Sequence, residues 1–381
     1  MNGATIVLLV TEDWYFLSHR LAIARAARDA GARVVIATRV GERAATLKKE
    51  GFEVVALPWR RRSNDAVREA RAWFAIRNLY ARLKPDLVHH VAMKPVVFGG
   101  TAARCAGNPR QVNAIAGLGY LETSQHRRAR LLRPVFDRVL RFAWRPANAH
   151  AIVQNPEDAA LLTHNFLPES RVHLIRGSGV DIERFAPSPE PAMDAGVIAT
   201  FVGRILWSKG IGEIVEAARV LRARGSFVTF RLVGAPDPEN PESVPEASLR
   251  AWVAENLIEW QSWTDDVPAV WRASHIAVLP SYREGLPKSL LEAAASGRAI
   301  VATDVPGCRE IARASVNALV VPPRDARALA DAVERLAKDA DLRRRFGAAG
   351  RDIAVREFSE SRVVEETLAL YRSLIGTGGR A

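Results

Sequence analysis

At 381 residues the chain exceeds the size that one hydrophobic core usually organises, so two domains are expected. Hydrophobic residues at 48% and charged residues at 25% suit a soluble globular protein, and no apolar run reaches the roughly 18 residues of a membrane span. The net charge of +12 predicts attraction to polyanions, whereas Cys105 and Cys308, far apart in sequence, exclude a disulfide framework or a zinc-type cluster and suit a reduced cytoplasm.

TIVLLVT, followed at once by Glu12 and Asp13, reads as a first strand rather than as a signal peptide. A helix over 17–30, RVVIATR, a helix before Gly51, FEVVALP and a helix over 65–83 follow. DLVHHVA, a helix from Pro95 and QVNAIAG come next. Residues 123–145 then read TSQHRRARLLRPVFDRVLRFAWR. Here Arg127, Arg128, Arg130, Arg133, Arg138, Arg141 and Arg145 face only Asp137, while Leu131, Leu132, Val135, Phe136, Val139, Leu140 and Phe142 recur at helical spacing. Such a basic amphipathic helix fits an anionic membrane interface, with WRRR at 59–62 as a further basic cluster. Its apolar stripe equally fits packing on its own domain with solvated arginines. Nucleic acid is not expected, because no helix-turn-helix, RNA-binding or zinc-finger pattern is present.

HAIVQN, a helix from Glu157 and RVHLIRG complete the first series, and Pro187, Pro189 and Pro191 mark a linker. GVIATFVGRI restarts the alternation, with a helix over 212–224, VTFRLVG, a helix near 249–255, IEWQSW, a helix near 267–273 and HIAVLPS. A helix from Pro287, AIVAT, ALVVP and two acidic-basic helices follow, and residues 359–375 form one more. Strands alternating with helices mean parallel, doubly wound sheets, which bind ligands beyond the carboxyl ends of their strands. The expected domains are 1–187 and 188–358, with 359–381 a helix whose Val363, Thr367, Leu370 and Leu374 close over the other domain.

Two stretches carry chemistry. SYREGLPKSLLEAAASG, residues 281–297, places Glu284 and Glu292 around Pro287. In one helix they would stand about 12 Å apart, too far for an acid/base dyad. Proline instead starts the helix, leaving Glu284 in a loop and the amides near Lys288 and Ser289 pointed at an anion. Two carboxylates beside an anion site suit the hydroxyls of a ligand that carries sugar and phosphate together. A solvated acidic loop with an ordinary helix glutamate also fits the stretch. In FVGRILWSKGIGEIVEA, residues 201–217, Gly203 lets backbone approach a ligand, Arg204 can fork onto two phosphate oxygens and Lys209 adds a point charge. It is not a Walker loop, so ATP hydrolysis is disfavoured, and a basic turn with solvated side chains remains open.

Together, GRILWSKG and EGLPKSLLE resemble glycosyltransferase family 4, whose members have the GT-B fold of two Rossmann-like domains with a cleft between them. GSGVDIERFAP (177–187) and FSESRVVEETLALYRSLI extend the resemblance over nearly the whole chain. The resemblance implies retaining transfer from a nucleoside diphosphate sugar, a UDP-sugar being expected, with no metal or other cofactor. Arg204 and Lys209 would hold the donor diphosphate, Glu284 with Gly285, Leu286, Pro287, Lys288 and Ser289 the transferred sugar, and Glu292 the ribose. TEDWYFLSHR, HHVAMKPVVFGG and VNAIAGLGY look like a branch that extends polyprenyl-diphosphate-linked saccharides for surface glycans, working on the inner face of the cytoplasmic membrane. Family members often carry a histidine two positions beyond His89, where this chain has Val91. That leaves His90 and His19 as acceptor-side candidates, with Glu12, Asp13, Lys94, Gly117 and Gly119. Trp260, Trp263 and Thr264 either flank a base or pack in the core. A sugar-nucleotide epimerase and a noncatalytic polyanion-binding protein are the alternative readings.

Overall fold

A computed structural model describes the chain except residues 2, 42, 61–64, 116–126 and 377–381; the side chains of 127–133, 135, 136 and 195 also lie outside the description. It divides into one unit of Met1–Ser178 with Arg362–Ala381, and a second of Gly179–Ser361. The division falls ahead of the prolines, because Phe185 is buried in the second core and Arg351 donates to the carbonyls of Ile182 and Phe185.

In the first unit, β1 (Thr5–Glu12), β2 (Arg33–Arg39), β3 (Glu53–Ala56), β4 (Leu87–Val91), β5 (Arg110–Ala114), β6 (Ala149–Val153) and β7 (Val172–Leu174) form a parallel sheet in the order 3-2-1-4-5-6-7. The strands read as unbroken apolar runs because both faces are covered. Alternate residues of β1 serve different cores: Ile6, Leu8 and Val10 pack with Phe16, Ile23 and Tyr371, while Val7 and Leu9 pack with Trp59, Ile76 and Tyr80. Val363, Thr367, Leu370 and Leu374 of the helix Glu360–Gly376 are buried, and its three aliphatic positions share the core of Ile6 and Leu8.

Two elements depart from expectation. The helix expected over 17–30 is a pair, Asp13–His19 and Leu21–Asp29, broken at Arg20 (φ −132°, ψ −5°). It begins early because the Asp13 carboxylate accepts the amide hydrogens of Trp14 (2.7 Å) and Gly41 (2.6 Å), and so seats Phe16 in the core. The basic helix runs Arg127–Trp144, and Leu140, Ala143 and Trp144 are buried beside Val96 and Leu162. The last turns of its stripe therefore pack on their own domain, and Leu140 is withdrawn from any lipid-facing set. Arg138, Arg141 and Phe142 stay exposed.

In the second unit, β8 (Val197–Val202), β9 (Val228–Val233), β10 (Ile258–Gln261), β11 (Ile276–Leu279), β12 (Ala299–Thr303) and β13 (Ala318–Val321) are parallel in the order 10-9-8-11-12-13. The chain winds outward from β8 to β10 and then returns to β11 on β8's other side. Each sheet thus has one switch point, β1/β4 in the first and β8/β11 in the second, where loops diverge and leave a crevice. Among the described residues no helix is long and apolar enough to cross a membrane.

Candidate active site

The loops after β8 and β11 meet at the second switch point. Gly210, at φ 76°, brings the backbone so close that an added Cβ would lie 2.2 Å from the Pro280 carbonyl oxygen. Tyr282 donates its amide to Ser208 O at 2.9 Å, joining the loops directly. Lys209 forms an ion pair with Glu284, whose Oε1 also accepts from Ser281 Oγ at 2.6 Å. The Glu284 side chain is 9% exposed and that of Lys209 23%, so the pair is shielded yet reachable from solvent. On the outer side, Arg204 reaches Asp237 Oδ2 at 2.9 Å.

Pro287, extended at φ −76° and ψ 113°, starts the helix Lys288–Ala295, and no side chain caps its first turn. The positive end of that helix follows the loop after β11 and so lies on the switch-point side of the sheet. Behind the loop, a Cβ on Gly307 would stand 2.4 Å from Gly285 O and 2.6 Å from Glu284 O, so only glycine lets the helix Pro306–Ile311 support it. Thr303 donates to the Ser281 carbonyl, and burial, reinforced by the Glu284 charge, pushes the Cys308 thiol well up. Glu292 lies one turn into its helix, half-buried. Burial raises its carboxyl to about 7, against the pull of the Lys288 and Arg184 charges.

Of the expected residues, Lys209 and Glu284 are in direct contact, Gly203 and Arg204 precede them on the loop after β8, and Gly285, Leu286, Pro287, Lys288 and Ser289 lead from Glu284 into the helix that carries Glu292. Sequence reasoning missed Asp237, Ser281, Thr303, Gly307 and Cys308. Asp237 alone had a signal, an acidic turn (APDPENPES) directly after a strand end. The others act from behind the loop, where sequence spacing says nothing. Trp260 donates to Gly234 O at 2.9 Å and packs on the core, whereas Trp263 is 56% exposed.

The first unit treats its candidates differently. His90 is fully buried, with Nε2 on Tyr80 OH (3.1 Å) and Nδ1 on Asn113 Oδ1 (2.7 Å), and burial lowers it to about 4. Both ring nitrogens of this acceptor-side candidate are thus held by core partners, as in a structural histidine. His89, bonded to Tyr371 OH, belongs to the strand as expected. Asp13 is 3% exposed and spends its carboxylate on two backbone amides. Lys94 donates to Arg60 O (2.6 Å) and Glu69 (2.8 Å) and lies over the Trp59 and Phe98 rings. Asp13 is thus tied to backbone, whereas Lys94 keeps a side-chain ion pair with Glu69. Glu12 is 3.5 Å from Arg39, and His19 stacks on Tyr15 with centroids 4.1 Å apart. Gly117 and Gly119 lie outside the described residues, as do the side chains of Arg127, Arg128, Arg130 and Arg133.

Two doubly wound parallel sheets, the second with cations, carboxylates and a helix start at its switch point, define a GT-B glycosyltransferase. Residues 196–339 match the family described as glycosyl transferases group 1, and residues 5–153 the glycosyl transferase 4-like family. The chain is 27% identical over 379 residues to the N,N'-diacetylbacillosaminyl-diphospho-undecaprenol alpha-1,3-N-acetylgalactosaminyltransferase of Campylobacter jejuni, covering 94% of this chain and 98% of that one. Among solved structures, sucrose-phosphate synthase from Thermosynechococcus elongatus superimposes with a TM-score of 0.80 at 20% identity, over 98% of this chain and 100% of that one. Anabaena HepE in complex with UDP and glucose gives 0.79 at 17%, over 97% and 100%. The chain belongs to glycosyltransferase family 4.

Proposed function

We propose that the enzyme transfers a hexose or N-acetylhexosamine, with retention and without a metal, from a UDP-sugar to a polyprenyl-diphosphate-linked saccharide on an anionic membrane surface. The observation that carries this is the Lys209–Glu284 pair, which joins a phosphate-binding cation to a hydroxyl-binding carboxylate at the switch point. Donor arrival exchanges that pair for ligand contacts. Lys209, Arg204 and the uncapped helix start take the diphosphate and stabilise its growing charge as the glycosidic bond breaks. Glu284 accepts hydroxyls of the transferred sugar beside the backbone of Gly285–Ser289, and Glu292 those of the ribose.

Glu284 is engaged by Lys209 and Ser281, a placement that suits holding a sugar rather than attacking it. The acceptor hydroxyl then attacks the donor face that the leaving diphosphate vacates, which retains configuration. The same three positive groups perform the charge neutralisation that a metal would otherwise supply. The acceptor class is favoured by the Campylobacter relative, whose name specifies a diphospho-undecaprenol saccharide. The exposed Arg138 and Arg141 supply cationic contacts for lipid phosphate or a leaflet's inner surface.

The test is a panel of UDP-, GDP-, dTDP- and ADP-sugars in EDTA, following nucleotide release with and without a prenyl-diphosphate N-acetylhexosamine. Acceptor-dependent release with one donor is expected. Interconversion of the donor without acceptor would mark an epimerase, and calorimetric silence with every nucleoside diphosphate a noncatalytic polyanion binder. Loss of activity in EDTA with rescue by manganese would overturn the metal-free reading.

A further inference from the structure

The loop after β9 is woven onto the loop that carries Arg204. Ile205 donates its amide to Ala235 O (3.1 Å), Trp207 to Glu242 O (2.8 Å), and Val244 back to Ile205 O (3.1 Å). A Cβ on Gly234 would fall 1.9 Å from Gly203 O, so the two backbones touch. Within this loop Asp237 is fixed at both ends of its peptide. Its amide donates to Ser243 Oγ at 2.9 Å and its carbonyl accepts from Asn240 at 2.8 Å. Its side chain is 12% exposed, whereas that of its partner Arg204 is 45% exposed. The asymmetry gives the roles: the carboxylate is the anchor and the guanidinium is the group being held.

We propose that Asp237 is a positioning residue for sugar transfer, aiming the Arg204 guanidinium at the donor diphosphate. The inference rests on the donor-site reading above. Asp237 occupies Nη1, which leaves donors on the other nitrogens for phosphoryl oxygens. A four-bond side chain left unanchored on a half-exposed loop would sample many rotamers, and ordering it would be deferred to the moment of reaction. Asp237 also carries a negative charge near the diphosphate, so it does not tighten ground-state binding. Its contribution falls on the step in which the leaving diphosphate gains charge.

The experiment is a kinetic double-mutant cycle with the active donor of the panel, using Asp237→Ala, Asp237→Asn, Arg204→Ala and the Asp237→Ala/Arg204→Ala pair, each normalised to folded protein by its melt. Losing the anchoring hydrogen bond is expected to lower kcat about tenfold in Asp237→Ala, with donor KM unchanged or lower. Asp237→Asn, which keeps an acceptor, should recover most of kcat. The double variant should be no slower than Arg204→Ala alone. Wild-type kcat in Asp237→Ala, or an undiminished loss in the Arg204→Ala background, would overturn the proposal. Wild-type kinetics in Arg204→Ala would instead overturn the donor-site reading beneath it.

Discussion

Glu292→Gln should make the second unit more stable and the enzyme a weaker donor binder. The Glu292 carboxyl stands at about 7 in the fold against 4.5 for an ordinary glutamate, chiefly because burial disfavours its charge. The sign follows from proton linkage. Where the folded state holds a proton that the unfolded state has released, stability falls as pH rises. The loss therefore accumulates between pH 4.5 and about 7 and is fully present above that, with an upper bound of about 3 kcal/mol. Glutamine has nothing to ionise and nearly the same size and shape. The variant should melt several degrees above wild type at pH 8, since about 1 kcal/mol moves a domain of this size by roughly 2–4 °C, and the two should converge at pH 4.5. Donor binding runs the other way, because ribose hydroxyls are better met by a carboxylate. A nucleotide sugar's diphosphate has no proton to lose near neutrality. Calorimetry in two buffers of different ionisation enthalpy should therefore record proton release from wild type at pH 7 and none from Glu292→Gln. A variant melting at or below wild type at pH 8 would refute the burial argument, and equal proton release from both would refute the ribose assignment.

Lys209→Ala should reduce kcat more than donor affinity, by about 2.7–4 kcal/mol in activation free energy, as expected for a group that meets developing charge; single-turnover kinetics with saturating donor would measure it. Glu284→Ala should lower turnover through mispositioned sugar while leaving nucleoside diphosphate affinity, measured by calorimetry, near wild type. His90→Ala should leave donor affinity intact and lower the melting temperature of the first unit, since Tyr80 OH and Asn113 Oδ1 each lose a buried partner at about 1–3 kcal/mol. Because His90 is held neutral, down to about 4, its contribution is fully present above about 6.5 and is lost as pH falls toward 4; urea midpoints across that range should show it. Glutamate at Arg138 and Arg141 together should weaken cosedimentation with anionic vesicles, at about 1 kcal/mol per arginine near the surface, and abolish its salt dependence. Equal partitioning onto neutral vesicles would show those arginines to be solvated surface.

The sheets were legible because strands covered on both faces announce themselves as short apolar runs between helices, and the loop residues of the second unit because each of its two stretches is continuous in sequence. Arg204 and Lys209 sit five apart, and Glu284 to Ser289 is a single turn. What escaped was whatever comes from another loop. Asp237 reaches Arg204 from 33 positions away, after an intervening strand. The first unit is hard to read for a related reason. A histidine at a strand end looks the same whether it faces a crevice or a core, and only Tyr80 and Asn113, brought in by a helix and the neighbouring strand, show which His90 does. The Arg127–Trp144 helix had two readings for its stripe, and Leu140 and Trp144 settle its last turns toward the core.

The two switch points differ in a way that bears on which can bind charge. Lys209 with Glu284, and Arg204 with Asp237, are pairs of side chains, and a ligand can exchange for one partner while the other turns to a new contact. At the corresponding place in the first sheet, Asp13 holds two backbone amides, while Lys94 divides between the Arg60 carbonyl and the Glu69 carboxylate. The amides cannot turn away, so recruiting Asp13 would orphan part-buried backbone donors at about 1–3 kcal/mol each. On the proposed reading, the second sheet trades its Lys209–Glu284 and Arg204–Asp237 pairs for a diphosphate, whereas Asp13 of the first keeps its backbone amides. On the same reading, the exposed Arg138 and Arg141 toward the end of the Arg127–Trp144 helix add cationic groups outside the β1/β4 loops.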